Sequence, residues 1–305
     1  MSARPLIGVD LGGTKIEAAV IEPGGALLWR AREPTPKGDY EGTIAAIAGL
    51  VRRARAQAPA ASGVGIGHPG SRSPATGLHR NANSTCLNGR PLLSDLEREL
   101  GMPVRGANDA NCLALSEAVD GAGRGSRTVF GMILGTGCGG GVVVDRRVID
   151  GANGIAGECG HMPLPGATAT ELEQRCWCGR RACLEIFLSG PGVEADHVRH
   201  GGDRSIRLPR IAFLAQSGDR CAVATIDRWI DRVGRALGAI CNLLDPDSIV
   251  LGGGASLVPG LAERLPAAIA PHCFSDRFDT PVRLAAHGDS SGVRGAAWLF
   301  ATLPS

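Results

Sequence analysis

The sequence predicts an α/β protein built from two related halves, each opening on a β-meander that turns on glycine and each continued by helices. Three observations carry this. Residues 6–34 (LIGVDLGGTKIEAAVIEPGGALLWRAREP) read as strand, Gly-Gly turn, alternating strand, Pro-Gly-Gly turn and strand. Residues 128–151 (TVFGMILGTGCGGGVVVDRRVIDG) repeat that unit about 125 residues further on, as an internal duplication would. Glycine supplies 45 of 305 residues, about 15% against a usual ~7%, with no G-X-Y period and no Gly/Ser tract. The excess therefore serves backbone conformations in a folded chain rather than collagen or linker.

The elements follow in order. Residues 40–58 carry Ile44, Ile47, Ala48 and Val51 at helical spacing and stop at Pro59. Residues 63–70 (GVGIGHPG) are a buried strand entering a loop, and residues 71–89, rich in Asn, Ser and Gly, read as loop. A short helix over 92–100 precedes a strand over 102–109 (MPVRGAND) that ends on polar residues, and 111–119 is helical. The run 120–126 (DGAGRGS) marks a boundary, giving lobes at 1–120 and 121–288. After the second meander, 221–244 is a long amphipathic helix stopping at Asp245-Pro246. Residues 247–256 (DSIVLGGGAS) are a strand running into a third glycine loop, and 259–270 is a helix. The closing segment, 289–305, holds a small-residue helix (GVRGAAWLFA) expected to pack back on the first lobe.

Composition excludes several classes. A net charge of +2 and a pI near 8.1 provide no basic field for nucleic acid. The longest uncharged run, 128–144, contains six glycines and is shorter than the ~20 apolar residues of a membrane-spanning helix. The only apolar run between Arg4 and Asp10 is residues 6–9, too short for an export signal, so a cytoplasmic location is expected. In that reducing compartment the ten cysteines should be thiols or metal ligands rather than disulfides.

The glycine loops carry the chemistry. In the first, Asp10-Leu11-Gly12-Gly13-Thr14-Lys15, a strand follows the glycines, so neither a Walker loop nor a Rossmann fingerprint applies. A two-glycine hairpin can still aim N–H groups at a phosphate, with Thr14 adding a hydroxyl, Lys15 a charge and Asp10 a carboxylate able to reach a metal-bound water. The same residues also make an ordinary hairpin turn. The second loop, Gly135-Thr136-Gly137-Cys138-Gly139 and the two glycines beyond, repeats this without charge. The third, at Gly252, Gly253 and Gly254, would let adenine or ribose approach the backbone closely. Eleven glycines, Gly8 among them, lie in or beside these loops. Asp109, between a strand and a helix, is the candidate base for a hydroxyl proton, and an Asp there is equally an N-cap. Asn83, Asn108, Glu158, His161 and Glu185, with the Gly70 backbone, offer hydrogen-bond partners from separate loops for a hydroxyl-bearing substrate. Cys176, Cys178 and Cys183 place three thiols within eight residues, a zinc half-site or else a redox pair or chance cluster.

The order DLGGTK, PGS with NANST, NDAN, GTGCGGG, ECGH, CxCG and a late LGGG resembles the ROK family of bacterial sugar kinases over essentially the whole chain. That resemblance implies a two-lobed, actin-like ATPase fold of the sugar kinase and hexokinase class, with ATP between the lobes, Mg2+ with the nucleotide and a homodimer as the usual assembly. It assigns Asp109 as catalytic base and Asn108, Glu158, His161 and Glu185 as hexose contacts. It also assigns His161 as fourth ligand of a structural Zn2+, and here Ala182 replaces the glycine of the HxnCxCGxxGC pattern. If one His161 nitrogen binds zinc and the other faces sugar, the metal would orient a substrate contact. The runs NANSTCLNG, NDANCLALSEAVDGA and HGDSSGVRGAAWL look most like fructokinases that also accept mannose, so phosphorylation of fructose at its 6-hydroxyl is expected, with N-acetylglucosamine or glucose as alternatives. A sugar-responsive repressor of the family is disfavoured, because the phosphate loop at Asp10 leaves no room before it for a helix-turn-helix.

Overall fold

The computed structural model of the chain describes residues 4–301. By contact it divides into two compact units. One holds the chain up to Gly125, the segment Gly141–Ala156 and the chain from Ala286 onward; the other holds Ser126–Gly140 and Gly157–Ala285. These divisions differ from boundaries at 120 and 288, and the separate grouping of Gly141–Ala156 has no local signal, because alternation along a strand does not say which neighbours it meets.

The chain opens on an antiparallel meander of β1 (Leu6–Leu11), β2 (Lys15–Ile21) and β3 (Leu27–Pro34). β1 and β2 are buried along nearly their whole length, whereas β3 alternates exposed and half-buried residues as an edge strand does. In α1 (Tyr40–Gln57), the N-cap Asp39 accepts from Gly42 N at 2.9 Å, and Ile44, Ile47, Leu50 and Val51 enter one core with Ile7, Val9 and Ile16. Leu50→Ala in that core would cost about 2–5 kcal/mol. β4 (Val64–His68), the hairpin β5 (Ser71–Arg72) and β6 (His79–Arg80), α2 (Leu92–Leu100), β7 (Val104–Asn108) and α3 (Asp109–Asp120) follow. The stretch expected to be loop thus holds a hairpin and a 3-10 turn at Thr85–Leu87; strands of two residues are too short to show periodicity.

β8 (Thr128–Leu134), β9 (Cys138–Val144) and β10 (Arg147–Val148) open the second sheet. The helices α4 (Ala169–Leu172), α5 (Glu185–Leu188), α6 (Gly190–Arg199), α7 (Leu208–Gln216) and α8 (Arg220–Leu244) come next, then β11 (Ser248–Gly252), α9 (Leu261–Ile269), β12 (Val282–Leu284) and α10 (Ser291–Trp298). The sheets run β3-β2-β1-β4-β7 and β10-β9-β8-β11-β12, so each, counted in chain order, places its first strand centrally between its second and fourth. That shared order is the architectural form of the duplication. α8 is capped by Asp219, which accepts from Ala222 N at 2.8 Å, and buries Trp229, Val233 and Leu237. Its buried Arg232 is paired at 2.8 Å with both Glu171 and Asp196. No helix among the described residues is long and apolar enough to cross a membrane, and all ten cysteines are free thiols.

α10 lies against β1, β4 and α3 at backbone distance. A Cβ on Gly8 would stand 2.2 Å from Val293 O, one on Gly65 1.7 Å from Ala296 O, and one on Gly295 1.7 Å from Cys112 O. Gly8 therefore serves helix packing, not the loop beside which the sequence places it. Buried Glu117 of α3 accepts from Ala286 N and Ser291 Oγ at 2.9 Å, and Asp120 pairs with His287 and Arg294, fixing the start of α10.

Candidate active site

In the first unit, the turn between β1 and β2 is closed by Gly12 N donating to Lys15 O at 3.0 Å, and Thr35 holds it from outside by donating its hydroxyl to Gly12 O at 2.7 Å. The Gly13 and Thr14 N–H groups remain available to a ligand. Lys15 is not a lone charge: its Nζ is 3.3 Å from Asp289 and 3.9 Å from buried Glu17, and Arg32 bridges the same two carboxylates at 2.7 and 2.5 Å. Burial, followed by the charges of Asp109 and Glu17, pushes the Asp10 carboxyl up to about 7; Lys15 and Arg32 offset this only in part. Two carboxylates in one another's field, one of them short of positive charge, are a donor set that fits a hard cation such as Mg2+.

β7 ends where α3 begins, and the N-cap is Asn108, whose Oδ1 accepts from Ala110 N at 2.9 Å. Asp109 is thus the first residue of the helix rather than its cap. It lies at the positive helix end, its own Oδ1 accepting from Ala110 N at 2.8 Å. Asn108 Nδ2 donates to Gly70 O at 3.1 Å, which leaves one amide hydrogen for a substrate. Asn83 Oδ1 accepts from Ser84 N at 2.8 Å, and Asn83 lines a cavity of about 230 Å³ with Leu11, Gly13, Thr35, Lys37 and Ser84.

In the second unit, Gly135 N donates to Gly137 O at 3.0 Å and Gly135 O accepts from Gly190 N at 2.8 Å. Cys138 N donates to Glu185 Oε2 at 3.2 Å, so this residue, expected to bind nucleotide, has its amide committed; Thr136 and Gly137 are left as donors, with Gly139 carrying the chain into β9. Glu158 precedes the 3-10 turn Cys159–His161, which packs backbone to backbone on β9: a Cβ on Gly160 would lie 1.9 Å from Cys138 O. In the third loop, Gly253 has φ +83° and would clash with Leu134 O through a Cβ at 2.4 Å, while Gly254 has open space on the side a Cβ would occupy.

The four proposed metal ligands come together. One donor atom from each of His161, Cys176, Cys178 and Cys183 lies within 4.8 Å of all the others. Cys178 Sγ is 3.6 Å from Cys183 Sγ, and Cys176 Sγ is 3.8 Å from His161 Nδ1. A tetrahedron with Zn–S bonds of about 2.3 Å has edges of about 3.8 Å, so the set fits zinc, with Nδ1 as the imidazole donor. Ala182, replacing glycine, is buried at φ +52°, held there by its N–H to Gln174 O at 2.9 Å and its carbonyl to Leu164 N at 2.8 Å.

The predicted residues thus group by unit: Asp10, Gly12, Gly13, Thr14, Lys15, Gly70, Asn83, Asn108 and Asp109 in the first, and the second loop from Gly135 to Gly139, the third loop and the His/Cys cluster with Glu158 and Glu185 in the second. Sequence reasoning passes over Glu17, Arg32, Asp289 and Trp177. Asp289 is 274 positions from Lys15 and had no local signal; Trp177, between two ligand cysteines, had one.

A model of the ROK family matches residues 6–302. The N-acetyl-D-glucosamine kinase of Haemophilus influenzae (strain 86-028NP) is 41% identical over 301 residues, 97% of this chain and 99% of that protein. That of Escherichia coli O6:H1 (strain CFT073) is 40% identical over 304 residues, with the same coverage. Among solved structures, the ROK hexokinase of Thermus thermophilus superposes with a TM-score of 0.85 at 34% identity, over 96% of this chain and 97% of that one. The ROK glucokinase of Streptomyces griseus, in complex with glucose and AMPPNP, gives 0.79 at 30% identity over 97% and 98%. These relatives are N-acetyl-D-glucosamine kinases, a hexokinase and a glucokinase rather than fructokinases, so they lend no support to fructose as the substrate. The chain belongs to the ROK family and is an ATP-dependent sugar kinase with its actin-like fold.

Proposed function

We propose that the protein transfers the γ-phosphoryl group of ATP to the 6-hydroxyl of N-acetyl-D-glucosamine. The observation that carries this is the 40–41% identity, over nearly the whole chain, to two N-acetyl-D-glucosamine kinases. Asp109 accepts the hydroxyl proton as the sugar oxygen bonds to the γ-phosphorus, and the bond from that phosphorus to the β-γ bridging oxygen breaks to release ADP. Asp109 is suited to this because it begins α3, where its carboxylate is offered at the helix N-terminus. Asp10 and Asp109 would hold a Mg2+ ion, which when bound would supply positive charge for the transferring group. The Gly13, Thr14, Thr136 and Gly137 amides orient phosphates, and Gly253 and Gly254 admit the adenosine. Asn108, Glu158, His161 and Glu185 bind sugar hydroxyls, with Gly70 and Asn83 bordering them. His161, Cys176, Cys178 and Cys183 would hold a structural zinc, and a contact through Nδ1 would leave Nε2 of His161 for the sugar.

A coupled assay of ADP release over N-acetylglucosamine, glucose, mannose and fructose tests the reading. The expected outcome is a kcat/KM for N-acetylglucosamine at least about tenfold above the others, the scale set by one lost group contact. Glucose in first place would support the second reading, which the Streptomyces griseus glucokinase favours at 30% identity. Preference for either other sugar would overturn both.

A further inference from the structure

The His/Cys cluster and the second glycine loop are far apart in sequence, yet one side chain touches both. Trp177 stands between the ligands Cys176 and Cys178 and is 70% exposed, so burial does not hold it in place. Two directed contacts do. Its ring meets His161 edge-on, 5.2 Å between centroids at 79°, and its Nε1 donates to Glu185 Oε1 at 2.5 Å. The other oxygen of that carboxylate, Oε2, accepts from Cys138 N at 3.2 Å. Oε2 also lies 2.8 Å from where a Cβ on Gly137 would be, so the carboxylate rests against the loop backbone itself.

A carboxylate beside a phosphate loop repels phosphate unless its oxygens are turned to donors. Here one oxygen faces an indole N–H and the other a loop amide. Losing the indole donor frees Oε1 to swing toward the loop and loosens the grip on Cys138 N.

We propose that Trp177 is a positioning residue that couples the metal cluster to nucleotide binding: with the metal bound, Cys176 and Cys178 fix the backbone on both sides of the indole, the indole holds Glu185, and Glu185 holds the second glycine loop. This rests on reading that loop as a phosphate cradle.

The test uses zinc-loaded full-length protein and Trp177→Phe, which keeps a ring against His161 and removes only the N–H. Zinc content and the Kd of a non-hydrolysable ATP analogue are measured by titration, before and after chelation with Mg2+ restored. Trp177→Phe is expected to retain its zinc and to bind the analogue about fivefold more weakly, the scale of one lost hydrogen bond. Chelation should weaken analogue binding in the wild type and add little in Trp177→Phe, the non-additivity of two changes on one path. Equal analogue affinity in variant and wild type would overturn the proposal, as would chelation that weakens both alike. Loss of zinc from Trp177→Phe would overturn it too, by making the residue a support of the cluster alone. If chelation unfolds the protein, the comparison of the loaded forms decides. A wild type that phosphorylates sugar and binds the analogue, beside an unaffected variant, sinks only this inference; a wild type that does not bind the analogue sinks the proposed function with it.

Discussion

The first and second glycine loops share one arrangement, strand, glycine turn, strand, and are held by different forces. The first is surrounded by charge: Asp10, Lys15, Glu17, Arg32 and Asp289 form a network that joins the two ends of the chain. The second carries no charge of its own and is tied through backbone groups, Gly135 to Gly190 and Cys138 to Glu185. Both turns span three residues between their strands, while the hydrogen bonds and side chains around each copy differ. One loop adjoins the Asp10 and Lys15 charges; the other is uncharged and backed by Glu185, which also accepts from Trp177.

Removing the charged side of the comparison should have the largest effect. Asp109→Asn is expected to lower kcat by about 10²–10⁴-fold, the usual weight of a general base, and to change sugar affinity far less; steady-state kinetics with sugar titration check this, and near-normal turnover would remove Asp109 from the reaction. Breaking the neutral side comes next. Chelation of the cluster should lower Tm and weaken sugar binding together, by about tenfold in Kd, because zinc orients His161; full sugar affinity in metal-stripped protein with Mg2+ restored would separate the metal from the sugar site.

A smaller effect sharpens the charged side. Between about pH 4 and 7 the folded protein keeps a proton on Asp10 that the unfolded chain has released, so this group makes stability fall as pH rises through that window. Urea unfolding of Mg2+-free, zinc-loaded protein should show that fall, and Asp10→Asn should flatten it. The smallest effect is expected at Ala182, a residue in the left-handed region with both its backbone groups bonded. Ala182→Gly relieves about 1 kcal/mol of backbone strain, less the entropy and packing that glycine gives up. A rise in Tm of about 1–3 °C is the expected result, and a fall would show that the buried methyl outweighs the strain.

Much of the fold was legible because its signals are local. The helix at α1 has apolar residues at helical spacing, an Asp cap and a following proline; the meanders have glycine turns between apolar runs. The hairpin β5–β6 and the strand β12 were illegible, being only two and three residues long. In the site, the CxCG run stands out as residue types with few structural uses at that spacing. Whether Asn108 or Asp109 caps α3 was not legible, because both types cap helices; the extended backbone of Asn108 (ψ 153°), with the helix beginning at Asp109, decides it.

What the sequence determined by itself was the repeated strand–glycine–strand units, the three loops and the three clustered thiols, since each depends on residues within a few positions of one another. What only tertiary structure decided was which groups share a field. Lys15 meets Asp289, Glu185 stands between Trp177 and Cys138, Gly8 admits α10, and the methyl of Ala182 is forced into a conformation glycine would take freely. Electrostatics and close packing act through space, and the distance along the chain says nothing of them.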